Sequence, residues 1–323
     1  GDESLSSSSN VKSELTHQFG EGRHCQIAEI AAFLNMCGYW EKKDQDFCVK
    51  IQTENAAVAR KCFTLLKKTF NIECEIEVKH SHPLTKKRTY LLSLEPGEVT
   101  KKVLLSAGLM QDDRPCLGER IDPLVVSGTC CKRAYIRGAF LSAGSVSDPE
   151  KAYHLEFVVD QPSYGSNLMA LINHFDMDAK MIPRKDQYVV YLKEGEQIVD
   201  LLNIMGAHVA LMKMENVRIL KDMRNNVNRK VNCETANLNK TIAASVKQQE
   251  DIELIWRTVG LESLPGPLEE IARARVAFPD ASLKELGKQM HPPVGKSGVN
   301  HRLRKISEMA ESIREGKGRS NDE

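Results

Sequence analysis

The sequence contains no long apolar run and no signal-peptide pattern in its first residues. None of its 323 residues belongs to a stretch of about 18–20 uncharged apolar residues, the length that a membrane-spanning helix needs. Its first residues, GDESLSSSS, lack the cationic and apolar blocks of a signal peptide. These absences predict a cytoplasmic protein with no membrane partner, and residues 1–19 are interpreted as an N-terminal arm.

The nine cysteines are odd in number and include no Cys-x-x-Cys pair. Such pairs are typical of a disulfide framework or a zinc site, so neither is supported by the spacing. His80 and His82 have no cysteine or carboxylate cluster beside them. We predict reduced, mostly buried thiols, no metal, no cofactor and no small-molecule substrate. The cysteines are Cys25, Cys37, Cys48, Cys62, Cys74, Cys116, Cys130, Cys131 and Cys233.

Charge of one sign is not in excess either, because 45 Lys and Arg stand against 44 Asp and Glu, a net charge of +1. A uniformly basic coat is therefore excluded, and any affinity for nucleic acid must come from local patches. Aromatic residues make up only 6% of the chain, and the basic stretches contain none. Binding of single strands by base stacking is not favoured.

The chain does contain an internal repeat. Residues 90–98 (YLLSLEPGE) align without gaps on residues 188–196 (YVVYLKEGE), and the same offset of 98 places Gly108 on Gly206. Six of the 19 positions from 90 to 108 are identical, where about one is expected by chance. The repeat indicates a duplicated domain.

Hydrophobic periodicity predicts the same order of elements in both halves, α-β-α-β-β-α. The first half is predicted to contain helix 25–37, strand 46–52, helix 55–70, strand 72–78, strand 89–94 and a closing helix. The second half is predicted to contain helix 132–143, strand 153–159, helix 163–175, strand 178–182, strand 187–192 and helix 196–205. We predict an α+β fold with one sheet per half and helices on one face of each sheet.

Small residues recur at matching places in the opening helix of each half. Because side-chain size sets the distance between two helix axes, the pattern favours close packing of these two helices. Two independent buried helices are the alternative. The small residues are Ala28, Ala31, Ala32 and Gly38 in the first half, and Gly138, Ala139, Ala143 and Gly144 in the second.

The two opening helices resemble the helix motif of LAGLIDADG homing endonucleases, in IAAFLNMCG at 30–38 and IRGAFLSAG at 136–144. In those enzymes the two motif helices pack at the centre of a two-lobed α/β saddle. The resemblance implies a duplicated saddle over residues 20–208, arranged about a pseudo-twofold axis.

Three longer segments resemble the WhiA family of sporulation transcription regulators of Gram-positive bacteria. The resemblance covers the chain from Val11 to about Arg314. It implies a helix-turn-helix domain after the saddle, similar to the DNA-binding region 4 of sigma factors, and a link to sporulation or cell division. The segments are AFLSAGSVSDPEK at 139–151, YHLE at 153–156 and NVRILKDMRNNVNRKVNCETANLN at 216–239.

The resemblance also shows what this chain lacks. LAGLIDADG enzymes hold metal ions with an acidic residue near the foot of each motif helix, because hard divalent cations need oxygen ligands. The corresponding positions here are Cys37 and Ala143, and the earlier acidic position of the motif is replaced by Asn35 and Leu141. We therefore predict degenerate metal-ligand positions, no catalytic residue and no enzyme activity.

The C-terminal part of the chain is predicted to form a small helical domain over residues 236–316, with a tail at 317–323. SLKE at 282–285 is a capping box, in which a Ser hydroxyl and a Glu carboxylate satisfy each other's backbone donors. It predicts a helix from about 283 to 290, and the prolines of HPPVG at 291–295 end that helix. An earlier helix with one apolar face is predicted from the spacing of Ile252, Ile255, Trp256 and Val259.

The last helix is predicted to begin near Ser297 and to bury Val299, Leu303, Ile306 and Ala310. Two helices in this order form a helix-turn-helix, whose second helix presents its N-terminal residues to bases in the major groove. The segment 282–305 has six basic residues and one acid. A solvated charged face is the alternative interpretation. The predicted DNA-binding residues are Lys284, Lys288, Lys296, Ser297, Asn300, His301, Arg304 and Lys305.

Two further basic segments are predicted as secondary DNA contacts. One lies between two strands of the first half and carries Lys79, Lys86, Lys87 and Arg88; a solvated hairpin tip is its alternative. The other is a basic linker over residues 209–235, which carries Arg224, Asn228 and Arg229; a hydrated linker helix is its alternative.

Together these features predict a bacterial, nucleoid-associated regulator that binds specific sequences of double-stranded DNA, with other transcription proteins as further partners. An active homing endonuclease is one alternative, with Asp148 and Glu150 as displaced metal ligands, although SVSDPE at 145–150 is more typical of a turn. A scaffold that binds protein through the saddle is the other.

Overall fold

The computed structural model describes residues 6–82 and 85–318, and the side chains of residues 81–82, 85–87, 317 and 318 lie outside what it describes. The chain forms two compact units, one up to Asp222 and one from Met223 onward. The first unit contains the duplicated α/β domain and the second is helical, so the predicted α+β fold class is confirmed.

The first unit opens with helix α1 (Ser7–Leu15) and then repeats one pattern twice. The first repeat contains α2 (Arg23–Cys37), β1 (Gly38–Lys43), β2 (Asp46–Thr53), α3 (Ala56–Phe70), β3 (Glu75–His82), β4 (Thr85–Leu94) and α4 (Glu98–Ser106). A short pair of strands, β5 (Met110–Gln111) and β6 (Arg114–Pro115), follows. The second repeat contains α5 (Thr129–Ala143), β7 (Gly144–Val146), β8 (Leu155–Val159), α6 (Pro162–Asn173), β9 (Lys180–Arg184), β10 (Gln187–Leu192) and α7 (Gly195–Met205).

Each repeat has a four-stranded antiparallel sheet, in the order β1-β2-β4-β3 and β7-β8-β10-β9. The sequence predicted only three strands per repeat, and it missed β1 and β7. Four of the six residues of β1 are exposed, three of them the charged Glu41, Lys42 and Lys43, and β7 is only three residues long. Neither strand therefore gives the clear alternation of apolar and polar residues by which the other strands were recognised.

A glycine lies at each junction between a motif helix, α2 or α5, and the strand that follows it without a loop. At Gly38 an added Cβ would lie 2.3 Å from the carbonyl oxygen of Leu34. At Gly144 it would lie 2.3 Å from the ring of Phe140 and 2.7 Å from the Cα of that residue. A side chain at either position would collide with the last helical turn, so the abrupt junction depends on glycine.

The motif helices cross in close contact, as their small residues predicted. An added Cβ at Gly138 on α5 would lie 2.7 Å from the carbonyl oxygen of Glu29 and 2.9 Å from the Cβ of Ala32 on α2. Ala28 and Ala139 are fully buried. The alternative of two independent helices is wrong, because the backbones approach too closely for any larger residue at this crossing.

Helix α1 was not predicted from the sequence, yet it belongs to the core of the first unit. Val11 and Leu15 are buried in that core. The hydroxyl of Ser8 accepts a hydrogen bond from the amide of Val146 at 2.9 Å and donates one to its carbonyl oxygen at 3.0 Å. The carboxylate of Glu14 accepts hydrogen bonds from the amides of Val209 at 2.7 Å and Ala210 at 3.0 Å.

Helix α8 (His208–Thr258) contains the whole segment that was interpreted as a basic linker, and it continues into the second unit. A single 3₁₀ turn (Leu261–Ser263) leads to α9 (Gly266–Ala277), α10 (Leu283–Lys288) and α11 (Lys296–Gly318). No helix in the described ranges is long and apolar enough to cross a membrane.

The apolar face predicted for the C-terminal end of α8 is only half correct. Ile252 and Ile255 are fully buried in the core of the second unit, but Trp256 is 55% exposed and Val259 is 54% exposed. The four residues lie next to one another on the surface of the helix. The core of the second unit is small and covers only the part of this surface that carries Ile252 and Ile255.

Candidate nucleic-acid interface and the ends of the motif helices

The helices α10 and α11 form the predicted helix-turn-helix. The hydroxyl of Ser282 accepts a hydrogen bond from the amide of Glu285, and the Glu285 carboxylate accepts one from the amide of Ser282 at 2.8 Å, so the capping box is confirmed. These hydrogen bonds hold the pKa of Glu285 below its usual value. The turn closes on α10 at Gly287, whose carbonyl oxygen accepts from the amide of Val294 at 2.9 Å. An added Cβ at Gly287 would lie 2.0 Å from the Val294 carbonyl oxygen, so this close approach requires glycine.

Helix α11 buries one face and exposes the other, as predicted. The buried residues are Val299, Leu303, Ile306 and Ala310, each no more than 2% exposed. Packing of this face against the core leaves a row of polar side chains facing away from it. The structure places all eight predicted DNA-binding residues at exposed positions: Lys284 and Lys288 on α10, and Lys296, Ser297, Asn300, His301, Arg304 and Lys305 on α11.

Most of the positive charge on these two helices is not neutralised. Within the described residues, the four lysines at 284, 288, 296 and 305 have no acidic partner within ion-pair distance, whereas Arg304 pairs with Glu308 at 3.2 Å. That pair is exposed on both sides and is therefore weak and easily exchanged. These exposed lysines of α10 and α11 are therefore available to bind phosphate groups.

The secondary basic residues are dispersed. Lys79 lies on the edge strand β3, 3.7 Å from Glu77, and Arg88 is exposed on β4. The side chains of Lys86 and Lys87 lie outside the described residues. Arg224, Asn228 and Arg229 are all exposed on α8, with Arg224 and Asn228 one turn apart.

Several charged side chains on the strands of the two sheets are paired with one another. In the second repeat, Arg184 donates two hydrogen bonds to Glu156, at 2.7 and 2.8 Å, and His154 lies 2.7 Å from the same carboxylate. The Arg184 guanidinium, helped by His154, holds the pKa of Glu156 below its usual value. In the first repeat, Lys50 pairs with Glu41 at 2.7 Å. These cations are therefore less available to phosphate than those of α10 and α11.

The former metal-ligand positions at the feet of the motif helices, Cys37 and Ala143, carry no carboxylate. Burial raises the pKa of the Cys37 thiol to about 11, and its sulfur donates to the carbonyl oxygen of Phe33 at 3.3 Å. Ala143 has no ligand atom. Lys12 of α1 lies nearby, and burial lowers the pKa of its ammonium group. A buried thiol and a lysine side chain do not fit a hard divalent cation, which needs oxygen ligands.

The residues at the earlier acidic position of the motif, Asn35 and Leu141, also have structural roles. Asn35 is buried, and its amide nitrogen donates to the hydroxyl of Tyr135 at 2.9 Å and to the carbonyl oxygen of Arg120 at 3.2 Å. Its side-chain oxygen accepts from the amide of Gly118 at 2.8 Å. Leu141, the counterpart in α5, is buried. Asn35 therefore ties the connection between the repeats to α2.

The candidate for displaced metal ligands is a turn. The carboxylate of Asp148 accepts a hydrogen bond from the amide of Glu150 at 3.1 Å, and its carbonyl oxygen accepts from the amides of Lys151 and Ala152. This is the Asx arrangement that the sequence SVSDPE predicted, and it uses one carboxylate oxygen locally.

Three cysteines and His24, which are scattered along the sequence, come together in the structure at the opposite ends of the motif helices. His24 and Cys25 begin α2, and Cys130 and Cys131 begin α5. One potential ligand atom from each lies within 4.8 Å of all the others. The four residues are far apart along the chain, so their spacing did not predict this cluster. The two pairs do occupy the same positions in the two repeats, and this correspondence could have indicated that they lie close together.

The structure thus defines a class of proteins that combine a duplicated LAGLIDADG-like domain with a helix-turn-helix domain in one chain. Family models for the WhiA N-terminal LAGLIDADG-like domain, the WhiA LAGLIDADG-like domain and the WhiA C-terminal HTH domain match residues 23–110, 132–224 and 227–310. The chain belongs to the WhiA family.

Curated relatives match over nearly the whole chain. A probable cell division protein WhiA of Lachnoclostridium phytofermentans is 51% identical over 316 residues, covering 96% of this chain and 100% of the relative. One from Alkaliphilus metalliredigens is 49% identical, covering 96% and 99%. The crystal structure of full-length DUF199/WhiA from Thermotoga maritima has the same fold, with a TM-score of 0.59 and 24% identity over 95% of this chain and 98% of that one.

Proposed function

We propose that this chain is a transcription regulator that binds specific sequences of double-stranded DNA through α10 and α11. The observation that carries the proposal is the row of exposed polar and cationic side chains on these helices, four of them lysines with no carboxylate within ion-pair distance in the described part of the chain. Cations in this position attract phosphate, and the polar row of α11 matches the side of a recognition helix that faces bases.

The proposal gives the two helices different roles. Asn300, His301 and Arg304 project from the first turns of α11 and are assigned to base edges. Lys284 and Lys288 on α10 are assigned to the phosphate backbone, because the first helix of the motif crosses that backbone. Lys296, Ser297 and Lys305 flank the reading residues.

Secondary contacts are proposed for Arg224, Asn228 and Arg229 on α8 and for the β3–β4 hairpin. The residues on α8 are exposed and carry two positive charges within about two helical turns. The hairpin is less favoured in the described part, since Lys79 has an acidic neighbour. We assign these residues to backbone contacts that add affinity without sequence information.

We also propose that the LAGLIDADG-like repeats do not cleave DNA. The support is chemical: a buried thiol at Cys37, no ligand atom at Ala143 and a fully hydrogen-bonded amide at Asn35 replace the oxygen ligands that cleavage needs. The curated relatives are named probable cell division proteins. We therefore place the regulated genes in cell division or sporulation, and the protein at the bacterial nucleoid.

Selection of duplexes from a random pool by the full-length chain, repeated at two salt concentrations, tests the binding proposal. We expect an enriched motif at both concentrations and weaker overall binding at the higher one, because phosphate contacts release counterions. A double variant, Lys284→Ala with Lys288→Ala, should lose affinity for all duplexes. Binding of duplexes without enrichment of a common motif would indicate a general DNA-binding protein and contradict the proposal.

A plasmid-nicking assay with Mg²⁺ or Mn²⁺ tests the proposed lack of cleavage. We expect no metal-dependent product from the full-length chain. Cutting that disappears in Asp148→Ala or Glu150→Ala would show that the turn supplies ligands, and an active endonuclease would then replace this part of the proposal. If the chain has no affinity for any duplex, the scaffold that binds other transcription proteins becomes the better interpretation.

A further inference from the structure

Four side chains with soft or borderline metal-binding atoms converge where the two repeats meet. They are His24, Cys25, Cys130 and Cys131, and their potential ligand atoms lie within 4.8 Å of one another. The Nδ1 atom of His24 lies 3.1 Å from the sulfur of Cys131, 3.4 Å from that of Cys25 and 3.9 Å from that of Cys130. One imidazole nitrogen thus faces three sulfur atoms.

These distances are close to those of a tetrahedral zinc site. With Zn–S bonds of about 2.3 Å and Zn–N bonds of about 2.0–2.1 Å, ligand atoms in a tetrahedron are about 3.5–3.8 Å apart. The three N–S distances of 3.1, 3.4 and 3.9 Å lie on both sides of this range. Small rotations of the side chains would therefore allow all four atoms to bind one ion.

The duplication explains how these ligands meet. His24 and Cys25 occupy the second and third positions of α2, and Cys130 and Cys131 occupy the same positions of α5. Helices that cross about a pseudo-twofold axis bring equivalent positions together, so each repeat supplies half of the ligand set.

Glycines leave the space that the ligands occupy. An added Cβ at Gly22 would lie 2.5 Å from the Nε2 atom of His24, and one at Gly20 would lie 2.6 Å from the Cβ of Cys25. Neither glycine has a positive φ that would by itself explain glycine there. Side chains at these positions would displace His24 and Cys25, so the segment before α2 is shaped around them.

The burial pattern suits a structural metal that enters from solvent. Cys25 and Cys131 are buried, whereas His24 and Cys130 are exposed. Four protein ligands leave no open coordination position, which is typical of a structural and not a catalytic zinc site. The cluster is about 20 Å from Cys37 at the other end of α2, given a rise of 1.5 Å per residue, so it is unrelated to the ancestral catalytic ends.

We propose that His24, Cys25, Cys130 and Cys131 bind one Zn²⁺ ion that links the two repeats. The absence of a metal site, predicted from cysteine spacing, is thereby replaced by a site built from two distant pairs. Zinc binding releases the thiol protons and converts the cluster into a cross-link between α2 and α5. Its contribution to folding is independent of α10 and α11.

Metal analysis of the full-length chain, produced without a histidine tag, tests this proposal. After loading with Zn²⁺ under reducing conditions and dialysis, we expect about one zinc ion per chain. Co²⁺ in its place should give the visible spectrum of tetrahedral cobalt with a thiolate-to-metal charge-transfer band. His24→Ala and Cys130→Ser change exposed ligands and should lose the retained metal while the fold persists.

Cys233→Ser is the matched control, because Cys233 is an exposed thiol on α8 outside the cluster. It should retain zinc and the cobalt spectrum. Retention of no metal by the reduced wild-type chain would overturn the proposal, as would equal zinc retention by wild type and Cys130→Ser. A chain lighter by two hydrogen atoms, with Cys25 disulfide-bonded to Cys130 or Cys131 even under reducing conditions, would also overturn it and identify a disulfide instead.

Discussion

Glu29 on α2 and Arg137 on α5 form an ion pair inside the crossing of the two motif helices. The Nε and Nη2 atoms of Arg137 donate to the two Glu29 oxygens at 3.3 Å each. Lys61 of α3 makes a second ion pair with the same carboxylate, and the side chains of Lys61 and Glu29 are completely buried. One carboxylate therefore compensates two cations drawn from both repeats, and burial still lowers the pKa of Lys61 to about 8.

Replacement of Glu29 should destabilise the first unit strongly. Glu29→Ala leaves two buried cations without their partner, and loss of one member of such a pair costs about 3–5 kcal/mol. Urea unfolding followed by circular dichroism measures the change. Glu41→Ala is the control, because Glu41 pairs with Lys50 at the surface and its loss should cost no more than about 1 kcal/mol. Equal effects of the two substitutions would contradict the role given to Glu29.

A methyl group at the helix crossing should also be destabilising. Gly138→Ala places a Cβ 2.7 Å from the backbone of Glu29, so the motif helices must separate, and overpacking typically costs about 1–3 kcal/mol. Thermal unfolding provides the measurement. Gly266→Ala is the comparison, since no atom lies within 4 Å of the added Cβ at that position. An unchanged melting temperature for Gly138→Ala would show that the crossing can relax.

The two helices of the DNA-binding motif should respond differently to the loss of one cation. Arg304→Ala should relax preference at particular bases, because a good base contact contributes about 1–3 kcal/mol of discrimination. Lys288→Ala should weaken all sequences alike and reduce the salt slope by about one unit. Titration of the selected duplex and of single-base variants at several salt concentrations measures both effects.

Arg273→Ala controls for the loss of positive charge, because Arg273 is already paired with Glu262 and Glu269 on the same unit. It should leave both sequence preference and salt slope nearly unchanged. If Arg304→Ala keeps full specificity while charge reversal at Arg224 and Arg229 removes it, then α8 and not α11 reads the sequence.

The buried thiol at Cys37 should make stability depend on alkaline pH. Its pKa is about 11 in the folded chain against an ordinary value of 9.0, so the folded state keeps a proton that the unfolded chain releases. This contribution is complete below about pH 9 and is lost as the pH rises towards 11, up to about 2–3 kcal/mol. Urea unfolding at about pH 8 and about pH 10.5 should therefore show a smaller decrease for Cys37→Ala than for wild type.

Cys233→Ala serves as the control in that comparison, because it removes an exposed thiol that lies on α8, outside the core of the first unit. Buried groups that do not interact with Cys37, such as Lys61 and Tyr135, act on both proteins equally. Stability rises with pH through the lowered pKa of Lys61 and falls through the raised pKa of Tyr135, so only the difference between variant and wild type reports Cys37. Parallel curves for wild type and Cys37→Ala would contradict the prediction.

Local signals in the sequence were sufficient for much of the second unit. The capping box at Ser282 and Glu285 and the buried face of α11 depend on residues within a few positions of one another, and both are present in the structure. The exposure of Trp256 was not predictable in the same way. The exposed fraction of Trp256 depends on how many residues of the small core pack against it. Helical spacing alone does not predict that number of neighbours.

Features that join distant parts of the chain were less accessible. The small residues at Ala32 and Gly138 predicted the helix crossing because the repeat places them in register. His24 and Cys130 also occupy equivalent positions in the two repeats. The search for Cys-x-x-Cys pairs detects only ligands that are close together in the sequence, so it did not find them. Helix α1 was missed for a related reason, because its partners Val146 and Val209 lie more than a hundred residues later in the chain.

The hydrogen bonds from the amides of Val209 and Ala210 to Glu14 span 195 and 196 positions. A chain leaves the ribosome N-terminus first, at about 5–20 residues per second, so α1 emerges roughly 10–40 seconds before the start of α8. During that interval Val11 and Leu15 have only part of their eventual surroundings. The first unit can therefore complete its folding only late in synthesis, when the amides in the first turn of α8 have been made and can donate to the carboxylate of Glu14.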